Sequence, residues 1–135
     1  MNSGTHEGGV VTRKAEAAIT VENLLVKVGT AADQVAVADA ADTPIGTCLD
    51  TPDTVNQPVA VQLLGLAMSR TLKCVAAGAI TANAAVVTAN GGKVRAVPGD
   101  NGTYKKIGTA LTAAAADGDE IEVNPELISS VVVDD

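Results

Sequence analysis

Ile45-Gly46-Thr47-Cys48-Leu49 returns 62 positions later as Ile107-Gly108-Thr109-Ala110-Leu111, and this recurrence governs the reading of the whole chain. The same shift lays Leu24-Leu25 on Val86-Val87, Gly29 on Gly91, Val35 on Val97 and Val59-Ala60-Val61 on Ile121-Glu122-Val123, without a gap. One unit reads as hairpin, loop, Ile-Gly-Thr-x-Leu strand, acidic loop and closing alternating strand, over about 24–61 and again 86–123. A unit that cannot bury its own apolar face packs against its twin, so the two share one core. Within the motif, Ile45, Thr47 and Leu49 lie on one strand face while Gly46 leaves the other bare, and Ile107, Thr109, Leu111 and Gly108 repeat the arrangement. A glycine inside a strand marks a bulge or a close backbone approach. The approach expected here is between the two copies, rather than a ligand cleft.

Working outward, short β-branched runs alternate with Gly, Asp, Asn, Thr and Pro clusters. Strands are expected at 24–28, 35–38, 45–49, 59–66, 71–76, 85–88, 93–97, 107–111, 120–123 and 128–133. Regular short strands separated by turn residues indicate a sandwich or small barrel. Asn90-Gly91-Gly92 is the clearest hairpin turn, because these residues tolerate positive φ. Asp117-Gly118-Asp119 and residues 98–102 mark two more turns. Ala113–Ala116 favours helix but is too short for more than one turn. The expected fold class is therefore all-β: a small barrel or sandwich, β-tulip-like, built from two repeated strand units with little helix. Residues 1–19 read as a flexible Gly-rich tip followed by an extended arm, and 20–135 as a single β domain.

Composition narrows the function. Of 135 residues 47% are hydrophobic, yet Tyr104 is the only aromatic, and 24 Ala and 19 Val dominate. Such small side chains contribute only about 0.8 kcal/mol per buried methylene, so part of the stability is expected from association. No apolar run reaches the ~18 residues of a membrane span, and a secretory start is not evident. A net charge of −7 excludes the basic footprint of duplex binding. Cys48 and Cys74 fit neither a disulfide scaffold nor a zinc pattern and read as buried thiols.

Catalytic chemistry is not written in the chain. The single histidine, His6, lies in the loose tip, away from the rigid support a catalytic group needs. Ser3, Ser69, Ser129 and Ser130 stand outside any nucleophile elbow, and no phosphate-cradling glycine motif occurs. Carboxylates such as Asp33, Asp50 and Asp100 fall in turns, where Asp bonds its own backbone. Asp117-Gly118-Asp119-Glu120 clusters oxygens suited to a hard cation, but without the full spacing of a calcium loop, so turn chemistry is preferred. Lys105-Lys106 beside Tyr104 makes a candidate contact patch or a solvated strand edge. No enzyme, metal or cofactor is expected.

Three stretches carry a family resemblance. They are 24–29 leading to 35–37; Thr43-Pro44-Ile45-Gly46-Thr47 with an acidic loop and 58–65; and 75–83 leading through Gly92-Lys93-Val94 to the second Ile-Gly-Thr motif and 117–123. In this order they resemble the small capsid decoration (cement) proteins of tailed bacteriophages, over roughly residues 10–128. The resemblance implies a β-rich protein on the outer surface of the virion, made in the host cytoplasm. It implies a homotrimer at three-fold or quasi-three-fold positions, clamping subunits of the major capsid protein, with neither nucleic acid nor membrane as partner. The N-terminal arm would reach the shell, which makes Val10, Val11, Thr12, Arg13 and Lys14 the capsid-contact candidates. Strand addition of this kind makes light demands on sequence. The alternative is a head-fibre base or another virion surface β-module that binds carbohydrate, for which Tyr104 alone offers an aromatic platform; a small hydrolase or metal-dependent enzyme is a third reading.

Overall fold

The computed structural model describes residues 9–65 and 70–134. The tip expected over residues 2–9, with His6 and Ser3, lies outside them except for Gly9, as do Leu66 and Ser69. Among the described residues there are ten strands: β1 Val10–Ala15, β2 Leu25–Val28, β3 Gln34–Val37, β4 Gly46–Cys48, β5 Pro58–Leu63, β6 Leu72–Val75, β7 Ala85–Thr88, β8 Val94–Ala96, β9 Gly102–Ala110 and β10 Glu120–Val133. One 3₁₀ turn, Asn90–Gly92, joins β7 to β8, with Gly91 at φ 73°. The fold is all-β, as the alternating patterns predict: β5 buries Val59 and Val61, and β10 buries Ile121 and Val123, at strict two-residue intervals.

The strands form two lobes of one design. In the first, order β1-β3-β2-β4-β5 closes on itself as a barrel. In the second, β6-β10-β9-β7-β8 runs through the same neighbours, and a lone parallel bridge from Ala76 to Val94 completes the circuit where the first lobe pairs Ala15 with Val35. The registers coincide. Gly46 faces Leu63, Thr47 faces Gln62 and Cys48 faces Val61; Gly108 faces Pro125, Thr109 faces Asn124 and Ala110 faces Val123. Five strands enclose a narrow interior, since barrel diameter grows with strand number. That is why Val and Ala suffice to fill it, with Leu25, Leu72, Ile107 and Ile121 the largest fully buried side chains.

The ungapped 62-residue shift describes only the last two strands of each lobe. In the first hairpin, Val26 pairs with Val37 and Val28 with Val35, while Val86 pairs with Ala96 and Thr88 with Val94. Val26 therefore corresponds to Val86, and Val35 to Val94 rather than Val97. The β7–β8 turn is one residue shorter than its counterpart, and the chain entering the second Ile-Gly-Thr motif is three residues longer. Those extra residues lengthen β9, which runs from Gly102 instead of starting at the motif. The strands expected at 120–123 and 128–133 are one strand, β10, with a register shift between Pro125 and Ser129.

The expected helical turn at 113–116 is replaced by pairing. Ala114 and Ile80 exchange both backbone hydrogen bonds, at 2.9 and 3.0 Å. In the first lobe Ile19 donates to the Pro52 carbonyl at 2.9 Å, and the reciprocal bond is missing because proline has no N–H. The acidic turns match as well. Gln57 Oε1 accepts from the N–H groups of Asp53 and Thr54, and Asp119 Oδ2 accepts from those of Ala115 and Ala116.

Candidate functional site

The segment expected as a free arm, Val10–Lys14, is paired along its length with β5, from Val10 against Gln62 to Lys14 against Pro58, and its end also joins β3. Alternate residues of the strand thus bond to β5, and pairing to β3 is confined to Lys14 and Ala15, so that β1 holds the place in the first barrel that β6 holds in the second lobe. Val11 is buried and Arg13 half-buried, so Val10, Thr12 and Lys14 are the side chains this segment offers outward.

The repeated motif does not line a ligand cleft. Gly46 and Gly108 are buried where β4 and β9 cross their own closing strands, so the close approach falls inside each lobe and not between lobes as expected. Thr47 is buried and Ile45 half-buried, whereas Leu49 and Leu111 are exposed just past the strand ends.

The carboxylates of the 117–120 turn are dispersed to separate partners. Asp117 Oδ1 pairs with Lys93 Nζ at 2.7 Å, Asp119 caps the turn, and Glu120 Oε2 accepts from Asn23 Nδ2 at 2.6 Å. Among the described residues no three metal-ligating side chains converge. Both cysteines are buried and free. Cys48 Sγ–H points to the Val21 carbonyl at 3.4 Å. Burial pushes the Cys48 thiol above its ordinary range and that of Cys74 up to about 12, so both stay protonated and weakly nucleophilic.

Two features with extended contact geometry remain. One is a ribbon of Gly102–Lys106 against Ser129–Val133, which extends past the strands the two lobes share and has no counterpart among the described residues of the first lobe. Leu127 at its root is 75% exposed and Val132 is 68% exposed. Tyr104 sits on this ribbon with the Arg95 guanidinium 5.5 Å from its ring centroid, and its Oη–H donates to the Asp100 carbonyl at 2.9 Å. The ring is half-buried and one face is taken by arginine, a poor platform for a sugar. Lys105 and Lys106, expected as a contact patch, are spent inside the molecule. Lys105 Nζ donates to the Ala41 carbonyl at 2.8 Å and to Thr43 Oγ1 at 3.1 Å, and Lys106 pairs with Glu126 at 3.1 Å.

The other is the seam between lobes. Gly92 N–H donates to the Ala38 carbonyl at 2.7 Å, Thr88 Oγ1–H to the Ala40 carbonyl at 2.9 Å, and Gly91 N–H to Asp39 Oδ1 at 2.9 Å. Leu25 and Ala38 enter the apolar cluster of the second lobe, and Val75 enters that of the first. The seam was not visible in the sequence, since its partners lie far apart along the chain and follow no spacing rule.

Fold and surface together define two five-stranded β lobes, the first closed as a barrel and the second a sheet bridged between Ala76 and Val94, packed along one seam. Compared with solved structures, the chain is similar to the N base of the head fiber protein gp8.5 of bacteriophage phi29, with a TM-score of 0.66 and 17% identity, over 87% of this chain and 92% of that one. At that identity the likeness establishes a shared fold. No protein-family model matches the chain, and no curated protein matches it.

Proposed function

We propose that this chain is a structural protein of the outer surface of a tailed-bacteriophage head, a decoration protein that binds the major capsid protein and stabilises contacts between its subunits. The observation that carries the reading is the end-to-end likeness of both lobes to a phage head-fibre base, reached independently of the decoration-family pattern in the sequence. The surface is consistent with it: exposed apolar residues such as Val28, Leu127 and Val132 are available for protein contact, and the Val10–Lys14 strand offers Val10, Thr12 and Lys14. Mechanically, several weak contacts on one ordered lattice add through effective concentration, so no single strong site is required.

The likeness to a head-fibre base favours a second reading, in which the same pair of lobes anchors a fibre to the head without reinforcing the shell. The two readings separate in one experiment. Heads of the parent phage, purified without this protein, are mixed with the purified chain, sedimented, and heated with and without it bound. Saturable binding with raised heat resistance supports decoration. Saturable binding that leaves heat resistance unchanged supports the fibre base. Absence of binding overturns both.

A further inference from the structure

The turn between β7 and β8 is an Asn-Gly pair built into the seam. Asn90 and Gly91 are both exposed, and both aim polar groups at one loop of the first lobe. Asn90 Oδ1 accepts from the Ala40 N–H at 3.0 Å, and the Gly91 N–H donates to Asp39 Oδ1 at 2.9 Å. Gly92, next along, is buried and donates its N–H to the Ala38 carbonyl at 2.7 Å; a Cβ there would stand 2.9 Å from both Leu24 and Val37. An Asn-Gly pair carries its own chemistry. With no side chain on the glycine to obstruct it, the glycine nitrogen attacks Cγ of the asparagine, one reason asparagine is a thermolabile residue. The N–Cγ bond forms as the Cγ–Nδ2 bond breaks, the proton of the attacking nitrogen leaves with the amide as ammonia, and a five-membered succinimide remains. Water then opens the ring to aspartate or, through the other carbonyl, to isoaspartate with one more methylene in the main chain.

We propose that Asn90 is a latent modification site which docking of the lobes holds shut, and that its conversion to a carboxylate releases the seam one way. Ring closure requires the Asn90 side chain to swing over the Gly91 nitrogen. That rotation takes Oδ1 away from Ala40 and the Gly91 N–H away from Asp39, while Gly92, set between Leu24 and Val37, holds the far side of the turn. The reaction therefore waits on opening of the seam. Once it has run, the new carboxylate faces the loop of Asp39, a like charge that opposes it. The isoaspartyl form also displaces Gly91 and Gly92 from their acceptors on Asp39 and Ala38. Ammonia has left, so nothing in the chain restores the amide. The turn thus records lobe opening as a covalent change, and it does so whether or not the virion reading holds. The chain's other Asn-Gly pair, Asn101-Gly102, lies outside the seam where an exposed loop enters β9, and it supplies the comparison within one molecule.

The test is peptide mapping by mass spectrometry of the purified chain, aged in warm, mildly alkaline buffer both folded and in urea. Asn90 should convert about tenfold or more slowly in the folded chain than in urea, the factor that matches ~1.4 kcal/mol of seam opening. Asp39→Ala removes the acceptor of the Gly91 N–H, and Thr88→Val removes the neighbouring bond to the Ala40 carbonyl. Each should speed conversion of Asn90 in the folded chain and leave that of Asn101 unmoved, with circular dichroism confirming that both variants are folded. Asn90→Asp, which puts the product in place, should raise the hydrogen-exchange rate of the Gly92 amide. Equal rates at Asn90 folded and in urea, variants that age as the wild type does, an acceleration shared equally by Asn101, or an Asn90→Asp chain whose Gly92 amide stays fully protected would overturn the proposal.

Discussion

Gly46 and Gly108 hold the same place in the two lobes: a Cβ on the first would lie 2.1 Å from the carbonyl oxygen of Gln62, and on the second 2.2 Å from that of Asn124. Neither residue has positive φ; what each supplies is the absence of a side chain where two strands cross. The obstruction is backbone, which cannot swing aside as a flexible side chain would. Gly46→Ala and Gly108→Ala should each cost about 3 kcal/mol or more, at the upper end of overpacking penalties. Chemical denaturation of both variants measures it, and a loss below about 1 kcal/mol at either site would show that the strands can separate locally.

Asn56 and Gly118 also correspond, each at positive φ, 67° and 95°, and each donating its N–H to an alanine carbonyl, Ala15 or Ala76, at 2.7 and 2.8 Å. A Cβ at Gly118 meets open space, so backbone conformation alone sets the cost of substitution there. Asn enters the left-handed region readily and β-branched residues do not. Gly118→Asn is expected to change stability by less than about 0.5 kcal/mol and Gly118→Val to lower it by ~1–2 kcal/mol. Thermal melts of the two variants side by side provide the comparison, and equal losses would refute the equivalence of the two turns.

Much of this fold was legible because its alternation of apolar and polar residues is local. Ala85–Thr88 reads as a strand with the bounds it has, and Asn90-Gly91-Gly92 reads as the turn it makes. The arm was harder to read, since Val10–Ala15 buries only Val11 and Ala15 and fills the positions between with charged or exposed residues. Its membership in the barrel rests on partners in β3 and β5 that no short window contains. The hairpin alignment was missed for a different reason: one residue lost in a turn and three gained before β9 leave a net offset of two, one full strand period, so an ungapped shift still lays apolar positions on apolar positions. The surfaces that join the two lobes were not legible at all. Asn23 reaches Glu120 and Thr88 reaches Ala40 because two barrels pack, and that packing has no periodic signature.

Acid should loosen the loops first. Glu16 is held below the ordinary carboxylate range by the Thr30 N–H, Asp42 by the Asp39 N–H and then by Lys27, and Glu126 by the Thr109 hydroxyl and then by Lys106. A carboxylate with a depressed folded value contributes stability that is fully present above its unfolded value, near pH 4, and is lost as pH falls through the folded value. The melting temperature should thus be flat above about pH 5 and decline below about pH 4. In the triple variant Glu16→Gln, Asp42→Asn, Glu126→Gln the slope below that point should be shallower. An unchanged slope would place the acid sensitivity elsewhere.

Leu25 belongs by sequence to the first lobe, on β2, and by packing to the core of the second, where it is 1% exposed beside Ile107 and Val86. Val75 makes the opposite exchange, from β6 into the first lobe's cluster. Each lobe therefore completes its interior with a side chain lent by the other, and unfolding one exposes a cavity in its twin. Two such lobes should melt together, in one calorimetric transition whose measured enthalpy equals the van't Hoff value. Leu25→Ala removes the shared side chain and should cost ~2–5 kcal/mol, the range for emptying a well-packed leucine site. Because the loss falls on the contact that couples the lobes, it should also broaden or split the transition, whereas Leu72→Ala, whose strand and core both belong to the second lobe, should lower the melting temperature and leave the transition single. Two separate transitions in the wild-type chain would mean that the lobes are independent and that the seam is only a surface contact.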